Sequence, residues 1–190
     1  MSKAVLISIR PKWCEKIVNG EKTIEVRKTK PKLDTPFKCY IYCTLPKYPH
    51  EDFIATDYPM PQFYGGGKVI GEFTCDRIYK IDKDSTDFLF KFGRLSVYKQ
   101  AAEEKCGLCM AMTDDELHGY LGHCQGYGWH IFDLRIYDTP KELSEFKTLC
   151  RVDADCCACP YYNYTKMDCD GRVIGRPPQS WCYVDDVQAK

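Results

Sequence analysis

The residues best suited to do chemistry lie close together, in the segment Gly20-Glu21-Lys22-Thr23-Ile24-Glu25-Val26-Arg27. An alternating pattern begins after Gly20, and successive side chains of a strand point to opposite faces. Glu25 and Arg27 therefore share one face, while Lys22 lies at the start of the strand. An amine, a carboxylate and a guanidinium this close together can line a polar cleft that binds an anion or a carbonyl oxygen. The alternative is an ordinary amphipathic strand with a solvated charged face.

Cysteines form a second group with chemical potential, since the chain contains 13 of them. The most suggestive spacing is Cys150-x5-Cys156-x2-Cys159-x9-Cys169, in a segment with few aliphatic residues. Four thiolates at such short spacing are typical of a closed structural zinc site, whose binding energy would fold the segment. Cys157 is adjacent to Cys156 and could replace it as a ligand. The alternatives are an iron–sulfur cluster with the same ligands and four unrelated reduced thiols.

The other cysteines are better explained by packing. A second cluster could bind a metal or form a redox pair, but its helical flanks favour buried thiols and surface histidines. Its members are Cys106, Cys109, His118, His123 and Cys124. Four more cysteines lie in apolar strand or helix patterns and are predicted to be core residues: Cys14, Cys39, Cys43 and Cys75.

A strand, a helix and a second strand are predicted to position the charged segment. Residues 5–9 are typical of a strand, and a helix is expected over residues 11–19. Pro11 suits the first helical position, because its fixed φ fits and its missing N–H is not needed there. Gly20 then ends the helix, since glycine adopts the left-handed conformation at little cost. The two apolar residues of the second strand, Ile24 and Val26, are expected to enter the core.

The rest of the chain predicts a mixed α+β fold. Three further strands are expected, over residues 37–43, 68–81 (with or without a bend) and 129–137. Pro140 is expected to end the last of them. Residues 82–120 are the most helical part, and Thr113 with a glutamate three residues later forms a capping box. Several strands with one or two helices between them indicate a small mixed barrel.

The opening of the chain resembles a known family. Residues 5–28 are closely similar to the start of ASCH-domain proteins, a branch of the PUA-like superfamily, and residues 69–146 are similar more loosely. The resemblance implies a small closed PUA-like β-barrel with flanking helices. It also favours the polar cleft over the solvated strand for Lys22, Glu25 and Arg27.

The resemblance also implies a possible reaction. One member of the superfamily is a small bacterial amidohydrolase that deacetylates acetylated cytidine, and its catalytic lysine matches Lys22. The threonine that it carries three residues later is replaced by Glu25 in this chain. A nearby carboxylate stabilises the charged form of a lysine, which is a poor nucleophile but a good anchor for phosphate. Lys22 and Glu25 are thus the catalytic candidates, but the replacement favours binding over catalysis.

Composition bounds the organisation of the chain. Its 190 residues, 44% hydrophobic and 14% aromatic, are typical of a folded globular protein. We expect an ASCH/PUA-like domain over residues 1–146 and a Cys-rich extension, residues 147–190, that packs back on the barrel. The first four residues lack a hydrophobic signal core and no apolar run is long enough to span a bilayer, which predicts a cytoplasmic protein with no membrane partner.

The charge distribution points to a phosphate-containing partner. The formal net charge of the chain at pH 7 is zero, but residues 1–40 contain ten Lys or Arg against four Asp or Glu. A basic lobe of this kind favours contact with phosphates, although a solvated basic surface has the same composition. Aromatic residues available for base stacking are Trp13, Tyr127 and Trp129. The alternative for Trp13 and Trp129 is a place in the core, which is the more common one for tryptophan.

The sequence therefore predicts a module that binds RNA or a nucleotide-like ligand. The predicted ligand-binding residues are Lys22, Glu25, Arg27 and Trp129, and the only predicted cofactor is a structural zinc. One alternative is a small amidohydrolase acting on an acylated nucleoside. A second alternative is a zinc-stabilised protein-interaction module.

Overall fold

The structure of the chain, a computed structural model, describes residues 3–45, 53–55, 62–81, 109–122, 124–148, 162–163, 168–169 and 171–186. Two α-helices lie in these ranges, α1 (Pro11–Val18) and α2 (Asp114–Leu121), together with a short 3-10 helix, Leu143–Glu145. The strands are β1 (Lys3–Ile9), β2 (Ile24–Arg27), β3 (Phe37–Cys43), β4 (Phe53–Ala55), β5 (Gln62–Tyr64), β6 (Val69–Cys75), β7 (Ile78–Ile81), β8 (Gly126–His130), β9 (Phe132–Lys141), β10 (Lys147–Thr148), β11 (Tyr162–Asn163), β12 (Asp168–Cys169), β13 (Arg172–Val173) and β14 (Trp181–Asp185).

A seven-stranded sheet with the order β13-β10-β14-β1-β3-β6-β9 forms the body, and a three-stranded sheet, β2-β8-β7, carries the charged strand. Two further pairs are β11-β12 and β4-β5. The expectation of a closed barrel is wrong for the described residues, because the large sheet ends at β13 and β9. The reason is that the chain leaves the large sheet after Cys75 and re-enters it at Phe132. Between these points the described strands β7 and β8 pair with each other, and β8 pairs with β2, so they do not extend the large sheet.

The two places where the chain passes between the sheets also divide strands that the sequence predicted as single. Residues 68–81 form β6 and β7, and residues 129–137 are shared between β8 and β9. Pro140 does not end its strand but lies inside β9. Because β9 is the last strand of the large sheet in the described part of the chain, a missing N–H can face away from the ladder there.

The core lies between the sheets and α1. β1 sits between β14 and β3, and six of its seven residues are buried, so both of its faces are covered. The four cysteines predicted to be core residues are all buried free thiols. Burial raises the pKa of the Cys75 thiol to about 12, which leaves it protonated and unreactive at neutral pH. The capping box at Thr113 is confirmed, with Glu116 as its partner.

The described part of residues 147–190 is continuous with the body. β10, β13 and β14 belong to the large sheet, and β14 pairs antiparallel with β1. Of the predicted zinc ligands, Cys150, Cys156 and Cys159 lie outside the described residues, and only the backbone of Cys169 is described, in β12. Within the described ranges no group of three or more metal-ligating side chains is found. The zinc site therefore stays a prediction.

In the part of the chain that the structure describes, no helix is long and apolar enough to cross a membrane.

Candidate functional site

The end of α1 places the first charged residue of the site. Gly20 has a φ of 74°, the left-handed conformation expected at a helix end. Its N–H donates to the Ile17 carbonyl at 3.0 Å, and the N–H of Lys22 donates to the Lys16 carbonyl at 2.9 Å. These bonds turn the chain back beneath the helix, so the Lys22 side chain starts from a fixed position.

A segment from much later in the chain covers β2. The Cys109 N–H donates to the Thr23 hydroxyl at 2.7 Å, and the N–H groups of Thr23 and Ile24 donate to the Cys109 carbonyl at 2.8 and 2.9 Å. Ala111, just beyond, has a φ of 54°, which is uncommon for a residue with a side chain. All four residues of β2 are consequently buried, and neither of its faces is solvated.

Lys22, Glu25 and Arg27 meet in one buried cluster. Lys22 Nζ donates to the Met110 carbonyl at 2.6 Å and lies 3.5 Å from Glu25 Oε2. Arg27 Nη2 lies 2.9 Å from Glu25 Oε1 and donates to the Ser8 carbonyl at 2.6 Å. The three residues are only 2%, 5% and 6% exposed. They therefore act electrostatically as a unit and not as separate surface charges.

Burial sets the direction of the Lys22 titration. Removal from water lowers the pKa of Lys22 below its ordinary value, because desolvation disfavours the ammonium form. The Glu25 carboxylate acts in the opposite direction but does not outweigh the burial. The expectation that Glu25 would favour the charged form of Lys22 is right for the contribution of Glu25 itself. It is wrong for the net shift of the Lys22 pKa, because burial contributes more.

Two buried polar atoms of the cluster have no hydrogen-bond partner among the described residues, Glu25 Oε2 and Arg27 Nε. Lys22 Nζ interacts with Oε2 as an ion pair at 3.5 Å. Buried polar atoms are normally hydrogen-bonded, and one that is not costs roughly 1–3 kcal/mol. The hydrogen-bonding capacity of the cluster is therefore not fully used by the described residues.

The three residues of the cluster line a pocket of about 500 Å³. Lys22, Glu25 and Arg27 form its floor, and the term is used for these three residues below. Trp13 and Tyr120 are the aromatic members of its lining. The remaining lining residues are Ser8, Ile9, Arg10, Lys12, Val26, Thr44, Met112, Glu116, Gly119 and Gln179. The pocket thus combines a charged floor with aromatic and basic surroundings.

The structure does not bring every predicted residue to the pocket. Trp129 is fully buried in the core, between Phe37 and Trp181, and it pairs with Glu25 across β2 and β8 without lining the pocket. No sequence pattern marks the Met110 carbonyl, which lies 88 positions from Lys22, or Gln179 as part of the site. Contacts over such separations arise only from the fold.

Comparison with solved structures settles the architecture. No family model matches the chain, and no curated protein matches it. The crystal structure of ASCH from Zymomonas mobilis matches with a TM-score of 0.52 and 17% identity, over 96% of this chain and 88% of that one. The chain adopts the ASCH-domain fold. Two point variants of the same Zymomonas protein match with TM-scores of 0.53, at 17% and 18% identity, over 97% and 96% of this chain and 92% and 89% of theirs. At 17% to 18% identity the similarity shows the fold alone.

Proposed function

We propose that this chain is an ASCH-fold module that binds single-stranded RNA or a nucleotide-like ligand, with Lys22, Glu25 and Arg27 as ligand-binding residues. The observation that carries the proposal is the buried cluster of Lys22, Glu25 and Arg27, which holds two cations around one carboxylate and lines a pocket of about 500 Å³. A ligand that hydrogen-bonds to this floor makes charge-assisted contacts in a region with little water, where such contacts are strong.

The chemistry of the floor favours a nucleobase edge over a simple anion. The Glu25 carboxylate can only accept hydrogen bonds, and the Lys22 and Arg27 cations can only donate them. Nucleobase edges carry N–H donors beside carbonyl or ring-nitrogen acceptors, which is the complementary arrangement. A phosphate or carboxylate would satisfy Arg27 but would bring its own negative charge against Glu25.

The surroundings of the floor suit the rest of a nucleotide. A volume of about 500 Å³ is in the usual range of ligand sites, roughly 300–1,000 Å³. A base can stack on an aromatic side chain, and the lining contains two of these, Trp13 and Tyr120. Arg10 and Lys12 are exposed members of the lining and can contact a phosphate.

Calorimetric binding of the four ribonucleoside monophosphates and of a random-sequence single-stranded RNA tests the proposal. Lys22→Gln should weaken binding roughly 10- to 150-fold, because a hydrogen bond from a charged donor contributes about 1.5–3 kcal/mol. Lys16→Gln is the matched control, since Lys16 lies on α1 outside the pocket, and it should change affinity by less than about twofold. Equal affinities of the two variants, or no binding by the unaltered chain, would contradict the proposal.

A second candidate, hydrolysis of an acylated nucleoside, is favoured by one observation. The lowered pKa of Lys22 increases the neutral fraction of its amine, and a neutral amine can serve as a base or nucleophile. Lys22 and Glu25 would then be the catalytic residues. Release of acetate from acetylated cytidine, rising with pH and lost in Lys22→Arg, would support this candidate. Binding of acetylated cytidine without release of acetate would contradict this second candidate and support the binding function.

A further inference from the structure

The basic surface of the chain continues beyond the pocket along a defined path. Lysine ammonium groups lie over aromatic rings in and beside the pocket, at 4.2, 5.5 and 5.8 Å from the ring centroids in the pairs Lys12–Trp13, Lys28–Tyr120 and Lys30–Tyr127. Two of these rings, Trp13 and Tyr120, belong to the pocket lining. The third, Tyr127, pairs with Arg27 across β2 and β8. The path therefore begins at the pocket and leaves it where β2 ends.

The segment that carries two of these lysines, residues 28–32, is held in place and is called the basic loop below. Lys28, Lys30 and Lys32 are exposed, whereas Pro31 between them is buried. The Trp181 Nε1–H donates to the Thr29 hydroxyl at 3.0 Å. The N–H of Lys32 donates to the hydroxyl oxygen of Tyr183 at 2.7 Å.

Both anchors of the basic loop come from β14, which is itself fixed to the body. β14 pairs with β1, and the Trp181 ring contacts the rings of the core residue Trp129 and of Tyr183, with centroids 5.9 and 5.4 Å away. The Lys32 contact holds the backbone of the loop and the Thr29 contact holds a side chain. A loop held in this way loses less conformational freedom on binding than a free one, which strengthens binding. The lysines of the basic loop thus project from a preorganised base.

Exposed cations beside aromatic rings are the combination that single-stranded nucleic acid binds, since phosphates contact the cations and bases stack on aromatic side chains. We propose that the basic loop, with Tyr120 and Tyr127, is a strand-binding track continuous with the pocket, so that the ligand is a single-stranded RNA of several nucleotides and not a free nucleotide. Trp181 and Tyr183 are positioning residues for this track. The inference rests on the proposed function, because the pocket takes one base of the same strand.

Length dependence of binding distinguishes the track from the pocket. Affinity is measured for ribonucleoside monophosphates and for oligoribonucleotides of two to eight residues made of the best-binding base. The unaltered chain should gain about tenfold or more between the monophosphate and the tetranucleotide, as each stacked base adds to binding. Lys28→Ala with Lys30→Ala should remove most of this gain and reduce the slope of log affinity against log salt by about 0.7 for each lost phosphate contact. It should leave monophosphate affinity unchanged.

The chain offers a matched control for this double variant. Lys141 lies 4.8 Å from the Tyr137 ring centroid, and Lys68 is a second partly exposed lysine; neither lines the pocket. Lys68→Ala with Lys141→Ala removes the same charge and should retain the length gain. Trp181→Phe keeps a ring but removes the donor to Thr29, and it should lower the oligonucleotide gain without changing monophosphate affinity.

The outcomes separate the two proposals. Monophosphate binding with no gain for longer strands, or a gain that persists in the Lys28 and Lys30 double variant, would overturn the track and leave the pocket intact. Length-dependent binding that is unaffected by Lys22→Gln would overturn the pocket instead. If neither monophosphates nor oligonucleotides bind, both proposals fall.

Discussion

Replacing Glu25 by glutamine should weaken the fold much more than a typical surface change. Glu25→Gln keeps the shape of the side chain but removes the only negative charge of the floor. Arg27 then loses its partner at 2.9 Å and Lys22 its partner at 3.5 Å, although both cations stay buried. The variant therefore leaves two like charges near each other in a region from which water is largely excluded.

The magnitude follows from these distances. With an effective dielectric constant of about 20, the two attractions amount to roughly 6 and 5 kcal/mol. Desolvation of the three groups and the repulsion between the two cations cancel a large part of this sum. Breaking a buried ion pair by removing one partner usually costs about 3–5 kcal/mol, and we expect a loss in this range near pH 6. Near pH 9 the loss should be smaller, since Lys22 without its carboxylate gives up its proton more readily.

Urea unfolding of the unaltered chain and the variant near both pH values measures the effect. Glu116→Gln is the control, because Glu116 also lines the pocket and pairs with a lysine, Lys12 at 2.7 Å, but both side chains are exposed. It should cost only about 0.2–1 kcal/mol, as exposed ion pairs do. Equal losses for the two variants, or a Glu25→Gln loss that is independent of pH, would refute the electrostatic account of the floor.

Three further results are expected. Because folding lowers the pKa of Lys22, the unfolded chain binds more protons than the folded chain at pH values between the lowered pKa and the ordinary 10.5. The free energy of unfolding should therefore rise with pH in this window, and urea titrations of Lys22→Met should show a smaller rise. Gly71→Ala would place its Cβ 2.5 Å from the Arg135 carbonyl oxygen, so a loss of about 1–3 kcal/mol is expected in thermal unfolding, and an unchanged midpoint would contradict the close approach. Metal analysis of the purified chain should give about one zinc per chain, and full metal content after Cys156→Ser with Cys159→Ser would exclude the predicted site.

The local part of the site was predictable because its determinants are local. Pro11 begins α1, and Gly20 adopts the left-handed conformation that lets the chain enter β2. These cues depend on neighbouring residues, and so does the alternation that places Glu25 and Arg27 on one face. The strand and helix bounds at the start of the chain follow from the sequence for the same reason.

The environment of the site was not predictable, because distant segments create it. The cover over Lys22 comes from residues 109–111, and nothing in their types marks them for this position. Burial by that cover, and not the neighbouring Glu25, decides the direction of the Lys22 titration. Trp129 was predicted to contact the ligand, but its ring is fully buried in the core, and no local pattern distinguishes a core tryptophan from a ligand-binding one.

The pairing of β14 with β1 has a consequence for biosynthesis. Ser8 and Pro178, joined by a hydrogen bond beside this pairing, are 170 positions apart. A ribosome adds about 5–20 residues per second, so roughly 9–34 s separate the emergence of the two segments. Throughout that interval the nascent chain carries β1, an almost entirely apolar strand, with one edge unoccupied. The basic loop also lacks its anchors, Trp181 and Tyr183, during this interval. A stalled or truncated translation product would therefore expose an unpaired strand edge to chaperones, and its basic loop would not be ordered for ligand binding.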